Sequence, residues 1–187
     1  MTDLKHVFEE YDIMTVGEAS GVTAEEGPQW VGKDGYFDMI FEFDHIHIWQ
    51  QEKEGQLDVL KLKHALSAWQ TSLDGIGWNA LYMENHDVPR AVSVFGDTRP
   101  DFWAMSAKAI AMMYFFLQGT PFIYQGQEIG MTNMPFESID QVDAVDSKRL
   151  YKRLLAEGKT REEALDIIRE TTRDNSRTPM QLSLIHI

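Results

Sequence analysis

Cysteine is absent from the 187 residues. Its absence excludes disulfides, thiolate metal sites and a cysteine nucleophile, and it fits a reducing compartment, so a cytoplasmic location is expected. Positive charge is scarce: 17 Lys+Arg stand against 30 Asp+Glu, a formal net charge of −13 with His neutral. Such a surface repels phosphate backbones and anionic lipid, so neither nucleic acid nor membrane is an expected partner. No apolar run is clean enough to span a bilayer, since the most apolar stretch, 104–124, contains Lys108, Gln118 and Pro121. The opening residues, MTDLKHVFEEYD, are charged and amphipathic and carry no secretion-signal core. Internal repeats and low-complexity tracts are lacking as well. What is present is 43% hydrophobic and 11% aromatic residues, enough apolar material for a real core.

Short apolar runs alternate with longer helical patterns. Leu4 to Tyr11 reads as the tail of a helix with Leu4, Val7, Phe8 and Tyr11 on one face. Ile13 to Val16, Tyr36 to Phe43, Trp78 to Met83 and Thr120 to Tyr124 read as strands. Leu57 to Ser72 is helical with Leu62, Leu66 and Trp69 on one stripe, and Phe102 to Leu117 is a strongly apolar helix. Two charged helices follow, about Ser147 to Ala156 and Thr160 to Thr172, the second with a Thr160–Glu163 capping box. Strand, loop and helix in this order predict an α/β fold with parallel strands, whose C-terminal ends collect the chemistry. The last residues, LSLIHI at 182–187, join the polar run RDNSRTPMQ abruptly and are expected to be a non-native tail.

Each strand candidate ends in polar or glycine-rich residues. Glu18 follows a strand, where apolar neighbours can raise its pKa towards general-acid duty; capping a loop is the alternative use of such a carboxylate. Asn85, His86 and Asp87 put an amide, an imidazole and a carboxylate into one loop ahead of Pro89 and Arg90. That trio can bind hydroxyls and stabilise developing positive charge, or simply build a turn. His45 and His47 share one face of an extended strand, a weak metal signal without a third ligand. Five tryptophans, at 30, 49, 69, 78 and 103, could stack on sugar rings, although Trp69 and Trp103 lie in helical patterns and are expected in the core. Arg173, Asp174 and Asn175 sit in a loop that breaks the last charged helix.

Four strings occur in order: TVGEASGVT around Glu18, NHDVPRAVSVFGD around Asp87, QGTPFIYQGQEIGMTN at 118–133 and RDNSRTPMQ at 173–181. Together they resemble the α-amylase superfamily of glycoside hydrolases, and within it the oligo-1,6-glucosidase, dextran glucosidase and trehalose-6-phosphate hydrolase branch. The resemblance runs from about Leu4 to Gln181. It implies a (β/α)8 barrel, of which residues 1–181 would be the second half, strands five to eight. It also implies retaining hydrolysis of terminal α-1,6-linked glucose in short oligosaccharides. By the same resemblance Glu18 is the general acid/base, and Asp87 is the third carboxylate, which stabilises the oxocarbenium-like state. His86 and Arg173 would bind the sugar, with Asn85 and Arg90 in support.

One departure from the pattern follows Gln181, where the family's motif continues into Trp and Leu182 stands here; the others concern what precedes Glu18. The nucleophilic Asp of a G-x-R-x-D motif, a first-half histidine and a calcium-binding loop have no counterpart in these 187 residues. No cofactor or metal is therefore expected in this stretch, no protein partner is predicted, and the chain alone is expected to be inactive. Trehalose-6-phosphate hydrolase, α-1,4-glucosidase and sucrose isomerase are open alternatives within the family. A non-catalytic scaffold like the transporter heavy chains is a different class, against which the joint presence of Glu18, His86 and Asp87 argues. A metal-dependent sugar isomerase built on His45 and His47 would need further ligands.

Overall fold

A computed structural model describes residues 2–8, 10–51 and 57–181. Its contacts divide the chain into two units. One takes residues up to 83 together with 112–122, and the other takes 84–111 together with residues from 123 onward. The hexapeptide at 182–187, expected to be a non-native tail, lies outside the described residues.

The first unit opens with helix α1 (Thr2–Phe8) and holds four parallel strands: β1 (Val16–Glu18), β2 (Met39–Phe41), β3 (Trp78–Leu81) and β4 (Thr120–Pro121). They pair in the order β1-β2-β3-β4. Glu18 stands opposite Phe41, Phe41 opposite Ala80, and Ala80 opposite Thr120. The expected α/β class with a parallel sheet is what the chain adopts. Strands β2, β3 and β4 are shorter than their apolar runs, while β1 meets its expected run, Ile13 to Val16, only at Val16 and continues to Glu18.

Helices α2 (Gly27–Val31), α3 (Asp44–Gln51) and α4 (Val59–Leu73) pack with this sheet. Asp58 caps α4 by accepting from the Leu60 and Lys61 amides at 3.0 Å each. The buried face of α4 is Leu62, Trp69 and Leu73, with Leu66 only partly buried. Trp69 and Leu73 close a core with Ala19, Ala24, Val31 and Ile40. The Trp69 indole N–H donates to the Asp44 carboxylate at 2.7 Å, so the largest core side chain also satisfies its one polar atom.

Strand β4 has only two residues, and side chains do what a longer ladder would do. Gln70 exchanges two hydrogen bonds with the Gln118 backbone, at 2.9 and 2.8 Å, and the Asn79 amide adds a third at 3.2 Å. The Trp78 indole donates to the Thr120 hydroxyl at 2.9 Å. Between them Gly119 adopts φ +152°, where a Cβ would lie 2.6 Å from the Asn79 carbonyl oxygen.

The expectation of an extended 45–47 segment is corrected, because these residues begin α3. The cause is Glu42, whose carboxylate accepts from the amides of Asp44 (2.6 Å) and His45 (3.4 Å) and so closes the first turn. At a helical period of about 100° per residue, His45 and His47 point roughly 200° apart, and the shared face disappears. His45 is fully buried, while His47 is only partly so.

The second unit is built from α5 (Ala91–Phe95), the first part of α6 (Pro100–Phe115), α7 (Val145–Ala156) and α8 (Arg161–Thr171), with 3-10 turns at Gln127–Ile129, Ile139–Gln141 and Arg173–Arg177. Its core includes Phe136, Val142, Ala144 and Ile168. The Thr160–Glu163 capping box expected for α8 is present with both reciprocal bonds. Trp103 departs from the core expectation: 38% of it is exposed, and its indole donates to the Gly130 carbonyl at 2.7 Å. The loop expected at Arg173 is a 3-10 helix capped by the Thr172 hydroxyl.

Candidate functional site

In the first unit, the C-terminal ends of β1, β2 and β3 carry ionisable side chains. Glu18 closes β1 and is exposed, while Gly17 and Ala19 on either side are buried. One residue beyond β2, Glu42 is buried and bonded to the His45 imidazole at very short range. Desolvation alone would raise the Glu42 carboxyl. The adjacent His45, its ring hydrogen bond and the two helix-capping amides outweigh it and hold Glu42 below the ordinary carboxylate range.

One residue beyond β3, Tyr82 is buried among Phe41, Phe43 and His45, with ring centroids 5.1, 5.8 and 4.8 Å away. Its hydroxyl has no hydrogen-bond partner. Burial, and then the negative charges of Glu42 and Glu18, push the phenol above its ordinary value. Glu42 and Tyr82 were not among the residues singled out from sequence. Their signal was positional, since each stands immediately past a strand end, but both were absorbed into apolar runs.

The second unit gathers Asn85, His86, Asp87 and Arg173. The Asn85 side-chain oxygen accepts from the Asp87 amide at 2.7 Å, an Asx turn that fixes the loop backbone. His86 Nε2 lies 3.3 Å from Asp87 Oδ2. Arg173 Nη1 donates to Asp87 Oδ1 at 3.3 Å, and its Nη2 lies 3.6 Å from Asp146. A residue not singled out from sequence, Arg177, makes the shorter contact: Nη2 to Asp87 Oδ1 at 2.5 Å, with Nε to the His86 carbonyl at 2.9 Å. The side chains of His86 and Asp87 are 59% and 44% exposed. A carboxylate fixed in this way among cationic donors, and open to solvent, can accept hydroxyls of a polyol and oppose a positive charge developing on it.

Arg90 lies behind this loop with 1% of its side chain exposed. It meets Glu84 at 3.1 Å and donates to the carbonyls of Gln125 (2.7 Å) and Asn175 (3.2 Å). Burial raises the Glu84 carboxyl, against the opposing hydrogen bond from the Ala91 amide and the charge of Arg90. Ser176 donates to the Val88 carbonyl at 2.6 Å, and the Tyr124 hydroxyl to Ser176 O at 2.9 Å, so the 173–177 turn is stitched to the 84–90 loop. Among the described residues no group of three or more His, Asp or Glu is placed to hold a metal ion, and no helix is long and apolar enough to cross a membrane.

The family profile described as alpha amylase, catalytic domain, matches residues 2–184. Over 183 residues the chain is 52% identical to the probable oligo-1,6-glucosidase 3 of Bacillus subtilis (strain 168), covering 97% of this chain and 33% of the relative. Among solved structures, the trehalose-6-phosphate hydrolase of Bacillus licheniformis superposes with a TM-score of 0.84 at 42% identity, over 93% of this chain and 32% of that one. The isomaltulose synthase of Klebsiella sp. LX3 gives a TM-score of 0.86 at 34% identity, over 97% and 34%. The chain thus spans about a third of the length of these proteins.

Proposed function

Because the chain belongs to the alpha-amylase catalytic-domain family, we propose that it forms the second half of a (β/α)8 barrel in a retaining α-glucosidase that releases terminal α-1,6-linked glucose from short oligosaccharides. Glu18 protonates the leaving oxygen and later activates water. Asp87 accepts hydroxyls of the glucose ring and stabilises its oxocarbenium-like state, and His86 and Arg173 bind the same sugar. Asn85 holds the loop, and Arg90 supports it from below. The nucleophilic carboxylate belongs to a part of the enzyme outside these 187 residues, which lack a G-x-R-x-D motif. The observation that carries the reading is the exposed Asp87 carboxylate, fixed by His86 and two arginines. It is accompanied by the family's motifs in the family's order along the sequence.

The linkage follows the relative with 52% identity, whose name specifies a 1,6-glucosidase. The solved relatives keep trehalose-6-phosphate hydrolysis and sucrose isomerisation as second readings. Turnover of isomaltose, trehalose 6-phosphate and sucrose by the full-length enzyme separates the three. The acid/base role is tested by Glu18→Gln in that enzyme. The kcat should fall severely on isomaltose, whose leaving group needs a proton, and far less on an activated aryl glucoside after allowance for slower deglycosylation. Equal losses on both would contradict the assignment.

A further inference from the structure

We infer that Arg177 is a positioning residue for Asp87, setting which oxygen of that carboxylate is presented to the sugar; the inference rests on the role proposed above for Asp87. The guanidinium is a planar fork, and here its two arms serve different parts of the loop. Nε–H donates to the backbone carbonyl of His86 at 2.9 Å and Nη2 to Asp87 Oδ1 at 2.5 Å. One rigid group therefore couples the backbone at residue 86 to the rotation of the carboxyl at residue 87. The Asx turn from Asn85 fixes the Asp87 amide from the other side.

The consequence is an asymmetric carboxylate. Oδ1 is taken by Arg177 and, at 3.3 Å, by Arg173. Oδ2 faces His86 Nε2 at 3.3 Å and has no arginine contact among the described residues. Oδ2 is thus the oxygen presented to a ligand hydroxyl, with His86 beside it. Arg173 divides its two terminal nitrogens between Asp87 and Asp146, so it cannot impose the same orientation alone. Arg177 can, because it stands on a fixed base. Asn175 and Ser176, just before it, are fully buried, and Ser176 is tied to the Val88 carbonyl.

The Arg177 side chain is 43% exposed, so its ion pair adds little to stability. Its effect should therefore appear in the reaction rather than in the fold. In the full-length enzyme acting on isomaltose, Arg177→Ala should lower kcat by roughly 30- to 100-fold, the scale of a misplacement of about 1 Å. KM should stay within about threefold and the melting temperature within a few degrees. Arg177→Lys should not restore kcat, since an ammonium at the end of a flexible stem does not reproduce the two-armed grip.

Asp87→Ala is the reference in the same enzyme. If Asp87→Ala keeps its activity, the reading of Asp87 falls and this inference with it. If Asp87→Ala is inactive and Arg177→Ala keeps kcat within threefold, the positioning role alone is overturned. Restoration by Lys would reduce Arg177 to a charge. A rise in KM with kcat intact would make it a direct substrate contact, and a kcat loss matched by a large drop in melting temperature would make it structural. Any of these three results also overturns the inference.

Discussion

Arg90 and Glu84 meet at 3.1 Å with 1% of each side chain exposed, and together they fasten the loop that carries Asp87. Replacing Arg90 by Met would leave the Glu84 carboxyl buried without its cation, a change that costs about 3–5 kcal/mol in buried pairs. Burial already raises Glu84 above its ordinary value of 4.5, and losing Arg90 would raise it further. A carboxyl raised in the folded state favours folding most when protonated. The destabilisation by Arg90→Met should therefore be smaller near pH 4, where chiefly the bonds to the Gln125 and Asn175 carbonyls are lost, and grow as pH rises through the folded-state value. Denaturant midpoints of the full-length enzyme and the variant across that range check this. A pH-independent difference would contradict it.

Asp38 gives the opposite sign. Its carboxylate accepts from the amide and the hydroxyl of Thr15, both at 2.7 Å, and holds the approach to β1 against that to β2. These bonds, the backbone one first, lower its pKa below the ordinary 3.8. A depressed carboxyl contributes stability that is present above the unfolded value and is lost as pH falls through the folded one. Asp38→Asn should therefore be destabilising at neutral pH, by under about 1 kcal/mol for so exposed a group, with the difference fading towards pH 2. Paired melts at pH 7 and pH 2.5 measure it.

The chain on its own should not turn over substrate. Double displacement at an anomeric carbon needs a nucleophilic carboxylate as well as an acid, and the motif that carries it in this family is not among the 187 residues. Neither isomaltose nor p-nitrophenyl α-glucoside should be cleaved above the blank rate. Hydrolysis that copurifies with the chain and vanishes in Glu18→Gln would overturn the expectation.

What could be read from the sequence depended on how local its cause was. The α8 capping box was visible because Thr160 and Glu163 act on each other across three residues. The apolar runs locate β2, β3 and β4 but overreach their ends, and the first run meets β1 only at Val16, since an apolar run does not show where pairing starts or stops. Helix α3 was misread because its capping group, Glu42, lies ahead of it within a run that reads as strand. Arg177 stands inside RDNSRTPMQ, but its partner Asp87 is 90 residues away, and the string alone does not say that this arginine reaches that carboxylate. Tyr82 resembled any strand aromatic, and only the packing of three rings around it shows how deeply its hydroxyl is buried.

The interleaving of the two units has a consequence for synthesis on the ribosome. The last strand of the sheet, β4, emerges from the tunnel only after the whole of 84–111 has done so. Strands β1 to β3 must therefore wait with one edge unfilled while residues of the other unit emerge. They are joined at the end by a two-residue strand whose hold depends on Gln70, Asn79 and Trp78. Closure over so long an intervening stretch is slow, and an open parallel edge is exposed to other chains in the meantime. The growing chain is thus at greatest risk of misassembly between the appearance of Leu81 and that of Thr120, an interval in which chaperone engagement would protect it most.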